Sequence, residues 1–373
     1  MHPTSVHPAA PAGSTDLAAD HRSLPSLTGL RWVAAFVVFG LHVRLLHYVD
    51  DDVQSLVTRP FSAGASGVSL FFILSGFVLT WAERPGLPPT TFWRRRFARV
   101  YPLHLVTLVL ALALGATLLR RESADGPLAL LANLALVHSW WPEWMQTGNT
   151  VSWSLACEAF FYLLFPLVIP VVRRLPARGL WAAGTLLVVV IVALPLASPW
   201  FPPAIDYRSS PGTRLPEFLA GIVVGRLVRT GSWRGPGVVV SALVAVVGYG
   251  VATVVGEPLG VAACTVVGFA CLIAALARAD VAGRRTPLSG AWSVTLGEVS
   301  FAFYLVHLLV LQLIGSRWDG WTPELPLVPA VALAVAAGAV GLALAWLLHA
   351  TVERPAQRLL TGASRRSRPS RSS

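Results

Sequence analysis

The sequence contains no lysine, three cysteines and few charged residues of either sign. Charged residues make up 13% of the 373 positions, whereas soluble domains contain about 25%. This scarcity of charge and a mean hydropathy of +0.64 exclude an ordinary soluble domain and predict an all-α polytopic membrane protein. Because Cys157, Cys264 and Cys271 lie inside apolar runs, no disulfide framework is expected.

The net charge of +11 comes entirely from arginine. A basic chain can bind nucleic acid, but these arginines stand in short clusters between apolar runs, as in the cytoplasmic loops of membrane proteins. We therefore expect a lipid bilayer as the partner, not nucleic acid, and a multi-pass protein of the plasma membrane. The sequence shows no metal-ligand spacing, phosphate-binding glycine loop or nucleophile elbow, so it predicts no metal and no permanently bound cofactor.

The arginine clusters limit how many apolar runs cross the membrane. A spanning helix needs about 20 residues, and the clusters can all be cytoplasmic only if one run between residues 100 and 172 does not cross. The run at 127–139 is the shortest and is expected to be re-entrant or interfacial. The other runs predict about ten spans with both termini cytoplasmic; they lie near 27–48, 66–83, 100–119, 153–172, 179–199, 213–228, 236–256, 258–277, 293–315 and 327–350.

Three segments follow from this topology. Residues 1–26 lack the apolar core of a signal peptide and are expected to form a disordered cytoplasmic tail. Residues 27–360 form the membrane domain. Residues 361–373, rich in Arg and Ser, are expected to be a basic cytoplasmic tail that faces lipid headgroups.

The first apolar run carries two polar residues on one helix face. Arg31 and His42 are eleven positions apart, a spacing that returns to nearly the same face, and the helical rise separates them by roughly 16 Å. A charged or titratable side chain at membrane depth costs roughly 2.5–3.5 kcal/mol, so it faces a protein interior or a polar cavity. We expect this stripe, with His42 well inside the span, to line an active site reached from the cytoplasm.

Glu158 places a carboxylate inside the apolar run at 153–172. If that run begins at the outer surface, Glu158 lies about two turns below it, at a depth comparable to that of His42. An unpaired buried carboxylate is costly, and pairing with His42 would produce the polarised histidine that a general base requires. A purely structural His–Glu hydrogen bond between two helices is the alternative.

Other polar residues have two interpretations each. Arg96 and Arg99 are neighbours on one helix face, where they either anchor the topology or bind phosphates in fork geometry. Arg214 is explained by interfacial snorkelling and His307 by a satisfied histidine in a helix bundle, unless they bind substrate. The glycine and serine residues at 66–83 are typical of close helix packing in lipid, and the Glu353–Arg354–Pro355 sequence is typical of a helix boundary.

Together these segments resemble the acyltransferase family 3 proteins, integral membrane enzymes that O-acylate sugars and related acceptors. The resemblance covers nearly the whole chain and rests on six motifs in the family's order. They are LTGLR with His42, GVSLFFILSGFVL from Gly67, Arg96-x-x-Arg99 followed by Tyr101-Pro102, WSLACEAFFYLLFP from Trp153, RLPEFLAG from Arg214 and LGEVSFAFYLVH from Leu296. The chain departs from the family's acidic pattern at Thr28, Ser69 and Ala159, which bears on acceptor choice.

The resemblance implies acyl transfer from acyl-CoA, a co-substrate, to a hydroxyl of a carbohydrate or a glycosylated small molecule. Its implied catalytic residues are His42, which as the base would activate the acceptor hydroxyl or relay the acyl group, and Glu158, which orients it. The candidates for donor binding are Arg31, Arg96, Arg99 and Tyr101, and those for acceptor binding are Trp153, Ser154, Arg214 and His307. We further expect the pantetheine arm of the donor to extend along the stripe from Arg31 to His42.

A proton-coupled transporter is the main alternative, because buried His, Glu and Arg residues among about ten helices also fit a carrier. Transporters often show internal repeats and broken helices in matching halves, and the sequence has neither. The acceptor stays open between a cell-envelope polysaccharide or lipid-linked sugar and a secondary metabolite such as a macrolide.

Overall fold

The computed structural model describes residues 23–44, 58–116, 126–256, 259, 262–316 and 325–361. Within these ranges the chain forms helices joined by turns, without a strand. The α-helices are α1 (Pro25–Val43), α2 (Ser66–Trp81), α3 (Pro89–Leu114), α4 (Pro127–Leu134), α5 (Trp153–Arg174), α6 (Ala177–Ala197), α7 (Pro211–Arg229), α8 (Val238–Val255), α9 (Val266–Val281), α10 (Ala291–Gly315), α11 (Leu327–Leu348) and α12 (Arg354–Thr361). The expected tails at 1–26 and 361–373 lie almost entirely outside the described residues.

The prediction of an all-α polytopic protein is confirmed. Eight helical stretches among the described residues are long and apolar enough to cross a bilayer. The helices α7 and α9 are not among them, because α7 carries Arg214, Glu217 and Arg226 and α9 has 16 residues. A count of ten spans therefore stays a prediction.

The run at 127–139 does not form a long helix. Its helix α4 has 8 residues, a length of roughly 12 Å, and cannot cross a bilayer. After α4 the chain turns through the short 3-10 helices His138–Trp140 and Thr150–Ser152 before α5 begins. Much of this connection is buried, including Asn149 and Ser152 at 0% exposure, so α5 begins inside the protein.

Close backbone contact joins α2 to α7 at the centre of the molecule. A Cβ added at Gly76 would collide with the carbonyl oxygen of Phe218, and one added at Gly221 would collide with that of Ile73. Small residues allow helices to approach closely without a hydrophobic driving force between them. The predicted packing role of the glycines at 66–83 is thus confirmed for Gly76.

Polar contacts join several helix ends on one side of the molecule. The carboxylate of Asp280 accepts two hydrogen bonds from Ser26, one from the backbone N–H at 2.9 Å and one from the side-chain hydroxyl at 2.6 Å. The first of these satisfies a backbone N–H in the first turn of α1. The carboxylate of Glu83, after α2, accepts from Arg173 at the end of α5 and from Arg229 at the end of α7. These contacts set the relative depth of the helices around the cavity described next.

Candidate active site

A cavity of about 410 Å³ lies among α1, α2, α3, α5 and α10. Aromatic and aliphatic side chains form much of its wall, and its charged lining consists of four arginines and one carboxylate. The positive charges are therefore held beside apolar surface, where they attract an anion more strongly than in bulk water. The charged residues are Arg31, Arg84, Arg96, Arg99 and Glu158.

The arginines reach the cavity from three parts of the chain. Arg96 and Arg99 lie three residues apart on α3, Arg31 lies on α1, and Arg84 follows α2. The guanidinium of Arg96 lies 5.9 Å from the ring centroid of Phe92. Among the described residues, its buried Nε has no hydrogen-bond partner, and Arg31 forms no hydrogen bond or ion pair. Both guanidinium groups can therefore donate hydrogen bonds to an anionic ligand.

Arg99 is held by a residue from the far end of the chain. Its Nη1 lies 2.7 Å from Oε1 of Glu353, and Oε2 of Glu353 lies 2.8 Å from Nδ1 of His349. The interpretation of Glu353 as a boundary residue is incomplete, because its side chain is fully buried and fixes a cavity arginine. The sequence signal for this residue is a glutamate that directly follows an apolar run.

Glu158 lines the cavity and does not contact His42. Its Oε2 accepts a hydrogen bond of 2.7 Å from the hydroxyl of Tyr162, and its electrostatic neighbours are Arg31, Arg96 and Arg99. The predicted pairing of Glu158 with His42 is therefore wrong. The physical reason is that α5 begins inside the protein, which brings Glu158 to the depth of Arg31.

The structure pairs His42 with His307 instead. Nδ1 of His42 lies 2.8 Å from Nε2 of His307, and the two rings meet edge to edge, 22° from coplanar, with centroids 5.1 Å apart. His42 lies in the last turn of α1, which ends at Val43. His307 is buried at 1% exposure, whereas His42 is partly exposed.

Tyr304 and Ser154 form a hydrogen-bonded pair in the wall of the cavity. Both residues line the cavity, and their hydroxyl oxygens are 2.9 Å apart. The ring of Tyr304 lies 5.8 Å from that of His307, one helical turn further along α10. A ligand that fills the cavity up to Tyr304 would thus end close to the two histidines.

Three other predicted site residues lie outside the cavity. Tyr101 stacks on Phe97 with centroids 4.5 Å apart, and Trp153 packs edge-on against Phe72. Arg214 is buried, lies 3.1 Å from Glu217 and donates to Ser69 at 3.0 Å. The cavity does contain Arg84 and Tyr162, which sequence reasoning missed because neither stands out in its local sequence.

Comparison with known proteins identifies a family and several relatives. The model of acyltransferase family 3, described as an acyltransferase domain, matches residues 24–350. The chain is 43% identical over 358 residues to the acyltransferase MdmB of Streptomyces mycarofaciens, covering 90% of this chain and 92% of MdmB.

Two bacterial O-acetyltransferases match a smaller part of this chain. The O-acetyltransferase OatA of Staphylococcus aureus is 31% identical over 195 residues, covering 47% of this chain and 29% of OatA. The peptidoglycan O-acetyltransferase OatA of Listeria monocytogenes is 27% identical over 163 residues, covering 38% and 24% respectively. No solved structure matches. With its helical membrane architecture and a family match over most of its length, the chain belongs to acyltransferase family 3.

Proposed function

We propose that this protein is a membrane-embedded O-acyltransferase that moves a short acyl group from acyl-CoA to a hydroxyl of a sugar-containing acceptor. The observation that carries this proposal is the cavity with Arg31, Arg84, Arg96 and Arg99 in its wall. Guanidinium groups pair with phosphates in fork geometry, and coenzyme A carries several phosphates. The volume of about 410 Å³ falls within the range of about 300–1,000 Å³ for small-molecule pockets.

The donor would lie with its phosphates at the arginines of α3 and its pantetheine arm directed towards Tyr304. Exposed Arg94 and Arg95 stand beside the same end of α3. Because arginine-rich loops stay in the cytoplasm, this end would face the compartment that holds acyl-CoA. The same rule supports a plasma-membrane protein with both termini in the cytoplasm.

His42 would act as the base near the end of the arm. Its imidazole takes the proton of the acceptor hydroxyl while the hydroxyl oxygen attacks the thioester carbonyl carbon. The carbon–sulfur bond then breaks, and the imidazolium returns the proton to the thiolate, so that an ester and free coenzyme A leave. Glu158 would balance the arginine charges and hold Tyr162, since its carboxylate does not contact His42.

The relatives support a sugar hydroxyl as the acceptor. One of them is a peptidoglycan O-acetyltransferase, yet this chain covers 24% of that protein and 92% of MdmB. The acceptor would therefore belong either to the cell-envelope polysaccharides and lipid-linked sugars or to glycosylated metabolites such as macrolides. A panel of a glycosylated macrolide, a lipid-linked sugar and a peptidoglycan fragment distinguishes these classes.

The test is thiol release from acetyl-CoA by the purified protein in nanodiscs, measured with the acceptor panel and alongside coenzyme A binding. Arg96→Gln should weaken binding about ten- to a hundredfold, because a hydrogen bond to a charged group contributes about 1.5–3 kcal/mol. Arg95→Gln is the matched control, since Arg95 is exposed and does not line the cavity. His42→Ala should abolish turnover and leave binding intact.

Two results would contradict the proposal. A wild-type protein that neither binds coenzyme A nor releases thiol with any acceptor would refute the donor. Equal effects of Arg95→Gln and Arg96→Gln on binding would refute the cavity as its site. Proton-coupled uptake of the sugar into vesicles without thiol release would establish the transporter instead.

A further inference from the structure

We propose that His307 is the positioning residue of His42. In this role it accepts the Nδ1–H of His42 and so leaves Nε2 of His42 unprotonated and able to act as the base. The inference rests on the proposed function of His42 and assigns to His307 the orienting role that the sequence had suggested for Glu158. It also replaces acceptor binding as the role of His307.

The direction of each hydrogen bond in the series His42–His307–Phe303 follows from its last member, the backbone carbonyl of Phe303. The carbonyl oxygen of Phe303 can only accept, and it lies 3.2 Å from Nδ1 of His307, so that nitrogen carries the proton. A buried imidazolium without an anionic partner is costly, and none of the described carboxylates contacts His307. Its Nε2 therefore has a lone pair, which accepts the Nδ1–H of His42 at 2.8 Å.

Aromatic packing fixes the ring of His307. Phe303 is stacked on it with centroids 5.7 Å apart, and Phe39 meets it edge-on at 6.2 Å. Because His307 has 1% exposure, its ring is enclosed by protein. A rigid buried acceptor of this kind holds a partly exposed histidine in one rotamer and one tautomer, as pre-organised catalysis requires.

The pair also suits the charge that develops during the reaction. When Nε2 of His42 takes the proton of the acceptor hydroxyl, the positive charge spreads over its imidazolium ring. Its Nδ1–H then makes a charge-assisted hydrogen bond to neutral His307, which is stronger than the bond in the resting state. His307 thus stabilises the imidazolium without exchanging a proton itself, and the same bond restores the tautomer when the proton leaves for the thiolate.

The test compares two amides at position 307. In His307→Gln the side-chain oxygen reaches about as far as Nε2 and can accept from His42, whereas in His307→Asn the shorter amide reaches only towards Phe303. The expected result is a kcat at least tenfold higher for His307→Gln than for His307→Asn, with equal coenzyme A binding and equal thermal stability. A general base contributes about 10²–10⁴-fold, so His307→Leu should lose at least a hundredfold in kcat with an unchanged KM for acetyl-CoA.

The outcomes separate this inference from the function on which it rests. A wild-type protein with normal turnover and a Gln-to-Asn ratio near one would refute the role of His307 alone. A wild-type protein without turnover would refute the proposed acyltransferase function and this role with it. If His307→Leu does not fold, the amide pair decides, since both variants place a polar group of similar size in the same site.

Discussion

The carboxylate of Glu353 lies 2.7 Å from the guanidinium of Arg99, which joins the segment after α11 to the wall of the arginine-lined cavity. Glu353 closes a π-helical turn, His349–Glu353, that follows α11. Turns of this kind often occur at functional sites. Here the turn aims Glu353 at α3 and lets the same carboxylate contact His349 at 2.8 Å.

Replacing Glu353 with Gln should destabilise the protein. The variant removes the anion between Arg99 and His349, and breaking a buried pair costs about 3–5 kcal/mol. Because the Arg99 side chain is 28% exposed, we expect a smaller loss, about 1–3 kcal/mol. Thermal unfolding of the purified protein measures it.

Glu298→Gln is the control for this loss. Glu298 pairs with Arg354 at 3.1 Å, but both side chains are about half exposed, at 47% and 50%. Exposed pairs contribute about 0–1 kcal/mol. Equal effects of the two variants would contradict a special role for the Glu353–Arg99 pair.

Replacing Glu158 with Gln should tighten coenzyme A binding about two- to fivefold, because it removes a negative charge that repels phosphates inside the cavity. Tyr162→Phe is the control, since it removes the hydrogen bond to Glu158 and keeps the charge; its binding should stay within about twofold. Calorimetric titration with coenzyme A measures both. Unchanged affinity in Glu158→Gln would show that the carboxylate does not face the bound anion.

Arg214 should behave as a structural residue and not as an acceptor ligand. Arg214→Met leaves the buried carboxylate of Glu217 without its cation, which costs about 3–5 kcal/mol. The double variant Arg214→Met/Glu217→Leu removes both charges and should recover most of that stability. Turnover per folded molecule should be retained in the double variant. A raised KM for the acceptor at restored stability would instead support acceptor binding.

Gly221→Ala should destabilise the contact between α2 and α7 by about 1–3 kcal/mol, because overpacking forces the backbones apart. Gly250→Ala on α8 is the matched control, since a Cβ there meets nothing within 4 Å. It should be neutral or stabilising by up to about 1 kcal/mol, the helix-propensity difference between the two residues. Thermal unfolding of both variants in one detergent provides the comparison, and a similar loss in both would contradict the packing role.

The arginine pair on α3 shows which features of the site the local sequence can predict. Helical periodicity places Arg96 and Arg99 on one face because their separation is set within a single helix, and the structure brings both into one cavity. The same reasoning on α1 predicted that Arg31 lines the site, and Arg31 is the third arginine in the cavity wall. Arg84 lies in the turn after α2, where no periodicity predicts the direction of a side chain.

The sequence by itself determined that the chain is helical, membrane-bound and a member of its family, because composition and motif order depend on no distant contact. Tertiary structure alone decided the partner of His42. That partner, His307, is 265 positions away, and the depth of Glu158 depends on the buried connection that starts α5 inside the protein. Periodicity sets the face of a helix, whereas the depth of one helix relative to another is set by the packing and polar contacts between them.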